Sequence, residues 1–209
     1  MHVAIIDCGA GNLHSVRKAI ASQLPEGATL SVVTDAAALS HATHIVLPGV
    51  GAFADCMKGF EALPGMRDAL ETAALHEKKP FLGICVGMQM LFTRGHEHGE
   101  HAGLGWFRGE VRLITPSDPT LRIPHMGWNQ LHLTTHHSPL TTHINDGDFV
   151  YFVHSYAARG CNAAEVLATV DYGGPIVALI GRDNIMGTQF HPEKSQATGL
   201  RMIQNFLKR

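Results

Sequence analysis

Residues 80–92 read PFLGICVGMQMLF, and they settle how the chain is built. PFLGI has the length and apolar composition of a buried strand, and VGMQMLFT has that of a following helix, which leaves Cys85 on the turn between them. A G-x-C-x-G turn in this setting is the sulfur counterpart of the G-x-S-x-G nucleophile elbow. Gly83 and Gly87 lack side chains, so neighbouring backbone can approach closely while the residue between them takes a strained conformation. Helix NH groups beside the sulfur favour thiolate over thiol. A small, inert, buried cysteine fits the same residues, so the rest of the chain has to decide.

Around this stretch, the first half alternates short apolar runs with helical patterns: HVAIID, a helix from about Leu13, LSVVT, HIVLP, and a helix around Gly65 to His76. That alternation indicates βαβ units, a parallel sheet with helices on both faces, and a site at the carboxyl ends of the strands. The second half reads as strands, VRLI, QLHL, FVYFVHSY, EVLATV, PIVALI and IMGTQF, before an amphipathic helix over roughly Ala197 to Lys208. No linker rich in Pro, Gly or Ser divides the chain and no repeat is found, so one mixed α/β domain over residues 1–209 is expected.

With 209 residues, 45% apolar and 16% charged, the chain can build one sizeable core, and disorder is excluded. A net charge of −2 and scattered Lys and Arg give no general attraction to nucleic acid or an anionic membrane. The apolar run in MHVAIID is too short for a signal peptide or a membrane span, and a cytoplasmic protein is expected. Cys8, Cys56, Cys85 and Cys161 lie far apart with no CxxC pair. They suggest neither a zinc site nor a disulfide framework, and they fit a reducing compartment.

A thiolate acting on an acyl carbon needs a group that moves protons and a partner that orients that group. TQFHPEKS, residues 188–195, supplies both. The strand IMGTQF delivers His191 to its carboxyl end, Pro192 stiffens the chain, and i+2 spacing puts Glu193 on the same side as the imidazole. HIVLPGVG, residues 44–51, runs a strand into a glycine turn at the same sheet edge. Gly49 and Gly51 there let the Val50 peptide turn its NH toward an oxyanion, or flip it away. Gln89 lies one helical turn after Cys85 and offers an amide to a polar substrate.

Two stretches have plainer readings. HEHGEHAG, residues 96–103, is rich in His and Glu, but its spacing fits no established metal site and a solvated surface loop is expected. CGAGNLH, residues 8–14, has GxG at Gly9 and Gly11, but His14 stands where the dinucleotide fingerprint needs its third glycine. A tight turn is expected, with Asn12 as the helix cap at the edge of a site.

Together PGVG, GICVGMQ, PHMGWN, YFVHSY and QFHPEKS, in this order and spanning essentially the whole chain, resemble the class I (triad) glutamine amidotransferases. GxCxGxQ and HPE are shared across that class. PHMGWN, YFVHSY and the early GNL resemble the branch formed by the glutaminase subunits of imidazole glycerol phosphate synthases. The resemblance implies a single-domain, flavodoxin-like α/β fold with a central mixed, mostly parallel sheet flanked by helices. It implies Cys85 as nucleophile, His191 as acid and base, and Glu193 as the orienting partner. Oxyanion and substrate contacts map onto Gly49, Val50, Gly51 and Gln89 and onto the backbone of His154, Ser155 and Tyr156. Val86 stands where family members commonly carry Leu, an apolar exchange.

The resemblance also implies glutamine as substrate, with no cofactor and no metal. Ammonia would pass to a (β/α)8 barrel cyclase in a heterodimer, which makes imidazole glycerol phosphate and aminoimidazole carboxamide ribonucleotide in histidine biosynthesis. Met126 and Trp128 are expected as exposed apolar anchors for that partner, a buried core tryptophan being the other reading. The residues by themselves leave open a cysteine peptidase or α/β hydrolase with the same elbow, another class I glutaminase, and a non-catalytic binding module on the same scaffold.

Overall fold

The computed structural model describes residues 1–9, 12–134 and 138–209, so Gly11 of the early glycine turn lies outside the described residues. The strands are β1 His2–Ile6, β2 Thr29–Val33, β3 His44–Gly49, β4 Phe81–Cys85, β5 Phe92–Gly95, β6 His101–Ala102 and β7 Phe107–Leu113. They continue with β8 His125–Gln130, β9 His132–Leu133, β10 Phe149–His154, β11 Tyr156–Arg159, β12 Val166–Asp171, β13 Pro175–Arg182 and β14 Ile185–Thr188. The helices are α1 Leu13–Ala21, α2 Ala38–His41, α3 Phe53–Glu61, α4 Met66–Glu71, α5 Val86–Gln89 and α6 Gln196–Leu207.

The main sheet runs β2-β1-β3-β4-β14-β13-β12-β9. Its ladders are parallel from β2 through β14 and antiparallel from β14 to β9, which is the mixed, mostly parallel α/β sheet expected. Strand β1 feeds β2 on one side and β2 then crosses to β3 on the other, so right-handed crossovers put α1 on one face and α2 to α4 on the opposite one. The packing agrees: α1 lies against α6, while α2 and α3 both lie against α4. Strands β3 and β4 are buried at every position, as parallel strands covered on both faces must be.

Three sequence expectations need correction. The helix over VGMQMLFT stops after Gln89, and β5 begins at Phe92 to join a second sheet ordered β11-β7-β5-β6. Met88, Met90, Leu91 and Phe92 are all fully buried, so the run carries no periodicity that would separate helix from strand. The strand FVYFVHSY breaks at Ser155 into β10, which pairs with β8, and β11, which pairs with β7. Helices α2 and α3 have no counterpart in the sequence reading. The helix around Gly65 to His76 is present as α4, which widens at its end into a π-helical turn closed by the Glu77 NH on the Thr72 carbonyl.

Candidate active site

Cys85 ends β4 and begins the turn into α5 at φ 55°, ψ −111°. For a residue with a side chain this is strained backbone, and the glycines around it show what holds it there. A Cβ on Gly87 would lie 1.8 Å from the Leu47 carbonyl oxygen, one on Gly83 2.7 Å from the Gly87 oxygen, and one on Gly49 2.7 Å from the Gly87 nitrogen. Helix α5 is thus pressed directly onto the end of β3, where Gly49 is the register partner of Cys85. Gly49 is required for this close approach and Gly51 for its φ of +88°, so only the second glycine serves the turn itself.

Beside the sulfur, β14 pairs with β4 in parallel and carries the chain to His191 just past its carboxyl end. The imidazole is 2% exposed, and its Nδ1 lies 2.7 Å from Glu193 Oε1. Its backbone is pinned as well, since its NH donates to the Tyr151 carbonyl at 3.0 Å and its carbonyl accepts from Ser195 Oγ at 2.6 Å. Burial alone would push this histidine down. Its two partners, the Cys85 sulfur and the Glu193 carboxylate, outweigh burial and hold it up at about 9. With Nδ1 committed to the carboxylate, Nε2 is the nitrogen left to exchange a proton with sulfur.

The glycine turn after β3 is secured from behind by two thiols. Cys8 Sγ donates to the Pro48 carbonyl at 3.7 Å and Cys56 Sγ to the Val50 carbonyl at 3.3 Å. The neighbouring Cys8 thiol and burial push Cys56 far up, so it stays a protonated donor. Because the Val50 carbonyl is held toward α3, the Gly51 NH of the same trans peptide faces the other way. These groups open on a cleft of about 770 Å³ whose lining includes Val50, Gly51, Cys85, Gln89, His154, Ser155, Tyr156 and His191.

A thiol at a strained strand-to-helix junction, an imidazole with a buried carboxylate behind it and a glycine turn at the mouth suit attack on an acyl or amide carbon. The chain matches the model of the family described as glutamine amidotransferase class-I over residues 4–209. It is 52% identical over 211 residues to the imidazole glycerol phosphate synthase subunit HisH of Rhodospirillum rubrum, covering 100% of this chain and 99% of that one. Identity to the HisH protein of Ruegeria pomeroyi is 53% over 209 residues, covering 99% and 98%. This chain belongs to the class-I glutamine amidotransferase family. Among solved structures, a glutamine amidotransferase superposes with a TM-score of 0.73 over 99% of this chain and 97% of that one. At 18% identity that likeness concerns the fold alone.

Within this amidotransferase the predicted Val50, Gly51, Cys85, Gln89, His154, Ser155, Tyr156 and His191 line one cleft, Glu193 stands behind His191, Gly49 packs on the Gly87 backbone, and Met126 and Trp128 lie elsewhere. Gln89 is buried and its amide nitrogen is already engaged, donating to the Tyr156 carbonyl at 2.9 Å and to Gln189 Oε1 at 3.0 Å. It therefore braces the wall of the cleft. Gln189, whose Nε2 lies 3.9 Å from Cys85 Sγ, was missed; it stands just past β14, where the chain bends before His191. Asn12 precedes α1 but makes no capping bond; its side-chain amide donates instead to Glu193 Oε1, the oxygen that also serves His191.

The loop expected to be simply solvated is partly structural. Glu97 Oε2 accepts from the Phe53 NH at 2.9 Å, placing a carboxylate at the start of α3, and His96 pairs with Glu110 at 2.9 Å. Met126 and Trp128 lie on the outward side of β8, 61% and 45% exposed, and Phe149 on the neighbouring β10 is 50% exposed. The Trp128 ring packs edge-on to Tyr151 at 6.0 Å. Among the described residues no helix is long and apolar enough to cross a membrane.

Proposed function

We propose that the chain is the glutaminase subunit of an imidazole glycerol phosphate synthase, residues 1–209 acting as one amidotransferase domain that releases ammonia from glutamine. The observation that carries this reading is the junction at Cys85: a side-chain-bearing residue held at φ 55° with a carboxylate-oriented imidazole beside its sulfur. The HisH relatives favour this branch over other class I glutaminases and over a peptidase or hydrolase with a similar elbow.

Cys85 sulfur attacks the side-chain amide carbon of glutamine, and NH groups of the turn at Val50 and Gly51 stabilise the oxyanion. His191 Nε2 then protonates the departing nitrogen, which leaves as ammonia, and a glutamyl thioester remains on Cys85. Water deprotonated by His191 hydrolyses the thioester to glutamate, while Glu193 keeps the ring oriented through both steps. The backbone at His154, Ser155 and Tyr156 receives the amino-acid end of the substrate. No cofactor and no metal enters these steps.

Ammonia released into neutral water is mostly protonated and loses its nucleophilicity, so the acceptor must be reached along a sheltered path. The partner is a (β/α)8 barrel cyclase that joins this chain in a cytoplasmic heterodimer, docked on the apolar face at Met126, Trp128 and Phe149. The test is mass spectrometry of the heterodimer quenched in acid during turnover. A glutamyl adduct on Cys85 is expected; sustained glutamate release with no adduct, and equally by Cys85→Ala, would refute the reading.

A further inference from the structure

Behind the cleft, a chain of hydrogen bonds runs from its wall to strand β8, and every proton along it can be assigned. His154 Nδ1 lies 2.9 Å from the Tyr156 carbonyl oxygen. A carbonyl only accepts, so Nδ1 carries the proton and Nε2 is left as an acceptor. That Nε2 lies 3.0 Å from His125 Nδ1, which must donate. His125 Nε2 is then an acceptor, and Asn129 Nδ2 stands 3.2 Å away to donate to it. The Asn129 amide is oriented independently: its nitrogen also donates to the Asp171 carbonyl at 2.9 Å and its oxygen accepts from the Gln130 NH at 2.8 Å.

Both rings are neutral because burial pushes His125 down to about 4 and His154 down to about 3. The titratable groups that bear on the pair are His191, acting on His154, and Tyr172, whose ring stacks on His125 at 4.0 Å. Phe152 covers the other side of His125 at 4.7 Å, so the ring cannot turn without unpacking. At the far end the Tyr156 carbonyl receives a second donor, Gln89 Nε2.

We propose that Asn129 and His125 are positioning residues: through His154 they fix the Tyr156 carbonyl, and with it the Ser155–Tyr156 backbone that receives the amino-acid end of glutamine. The proposal rests on the glutaminase reading above. Along β8, His125 and Asn129 point inward while Met126 and Trp128 alternate outward. The strand that presents the apolar docking face therefore also sets the geometry of the substrate site.

Asn129→Asp is the discriminating variant, because it keeps the shape and replaces the donor by an acceptor. His125 Nε2 must then take a proton, either forming an imidazolium or flipping its tautomer and leaving two lone pairs opposed at His154. In the heterodimer, KM for glutamine is expected to rise about tenfold with kcat changing by less than about threefold. His125→Phe, which keeps the ring between Tyr172 and Phe152, is expected to raise KM similarly. Nitrogen-15 NMR of the imidazoles is expected to show His125 and His154 as neutral Nδ1–H tautomers at neutral pH in the native chain. In Asn129→Asp, and not in His125→Phe, a histidine is expected to titrate near neutrality. Unchanged KM in both variants while the native complex remains active would overturn the relay, as would Nε2–H tautomers in the native chain. A native complex that releases no glutamate would instead sink the glutaminase reading.

Discussion

Two histidine sites adjoin the same cleft, and they are buried almost equally: His191 is 2% exposed, His125 2% and His154 6%. Their charge states are nonetheless opposite. His191 faces a carboxylate and a sulfur and is held protonated up to about 9, whereas His125 and His154 face each other, an amide and a carbonyl, and stay neutral down to about 4 and about 3. Burial penalises charge in all three, so the partners decide. A charged partner makes a ring that can give and take protons, and neutral partners make one that only holds position.

Removing the charge from the first site should make it resemble the second. Glu193→Gln keeps an acceptor near His191 Nδ1 but no charge, and kcat for glutamine hydrolysis is expected to fall on the order of 10³- to 10⁴-fold. Proton NMR should show the His191 pKa falling from about 9, while His125 and His154 stay neutral. Separating the sulfur from the ring should also disturb one site and spare the other. In Gly87→Ala the new Cβ meets the Leu47 carbonyl, a backbone clash that should cost about 3 kcal/mol in urea unfolding. It should also lower kcat while the relay tautomers persist.

The exposed apolar face at Met126 and Trp128, proposed as the docking surface, tests whether anchors and relay share a strand without sharing a task. Trp128→Ala is expected to weaken association with the barrel cyclase roughly 30-fold, by about 2 kcal/mol, with an unchanged unfolding midpoint. Unaltered affinity in a titration would remove Trp128 from the interface. Stability against pH should also distinguish the two sites, which should give opposite signs. His191 has a folded pKa above its ordinary 6.5, so its contribution is complete below 6.5 and disappears as pH rises toward 9. His125 and His154 have folded values below 6.5, so theirs is complete above 6.5 and is lost as pH falls toward 4 and 3. Urea midpoints across pH 4 to 9 in the native chain and in His125→Phe should separate the two limbs, His125→Phe flattening only the acid side.

What the sequence disclosed, and what it withheld, divides along the same line. Gly83, Cys85 and Gly87 and the pair His191 and Glu193 were legible because strand ends, glycine clearance and the HPE sequence are local, although a 3-10 turn over Pro192–Lys194, not the extended chain expected, brings Glu193 to the ring. The expected parallel sheet followed from alternation of periods. Asn12 on Glu193 and Gln189 beside Cys85 join residues far apart in the chain, and no local pattern announces such contacts. Asn12 even carried a plausible local role, a helix cap, that the fold does not use. His125 had no separate signal among fifteen histidines, and the resemblance marked His154 for its backbone only. The end of α5 was misplaced because Met90, Leu91 and Phe92 are buried from every side, which erases the periodicity that distinguishes helix from strand.

If Cys85 attacks glutamine as proposed, and if the proposed partner sets the Val50 peptide that its flanking glycines leave free to turn, glutamate release must depend on both the sulfur and that partner. The decisive assay follows glutamate from the chain alone and with the proposed barrel cyclase loaded with its acceptor substrate, for native protein and Cys85→Ala. Slow release by the native chain alone, a large rise in the loaded complex and none from Cys85→Ala in either state are expected. Glutamate release by Cys85→Ala, or equal native turnover with and without the loaded partner, would contradict that mechanism.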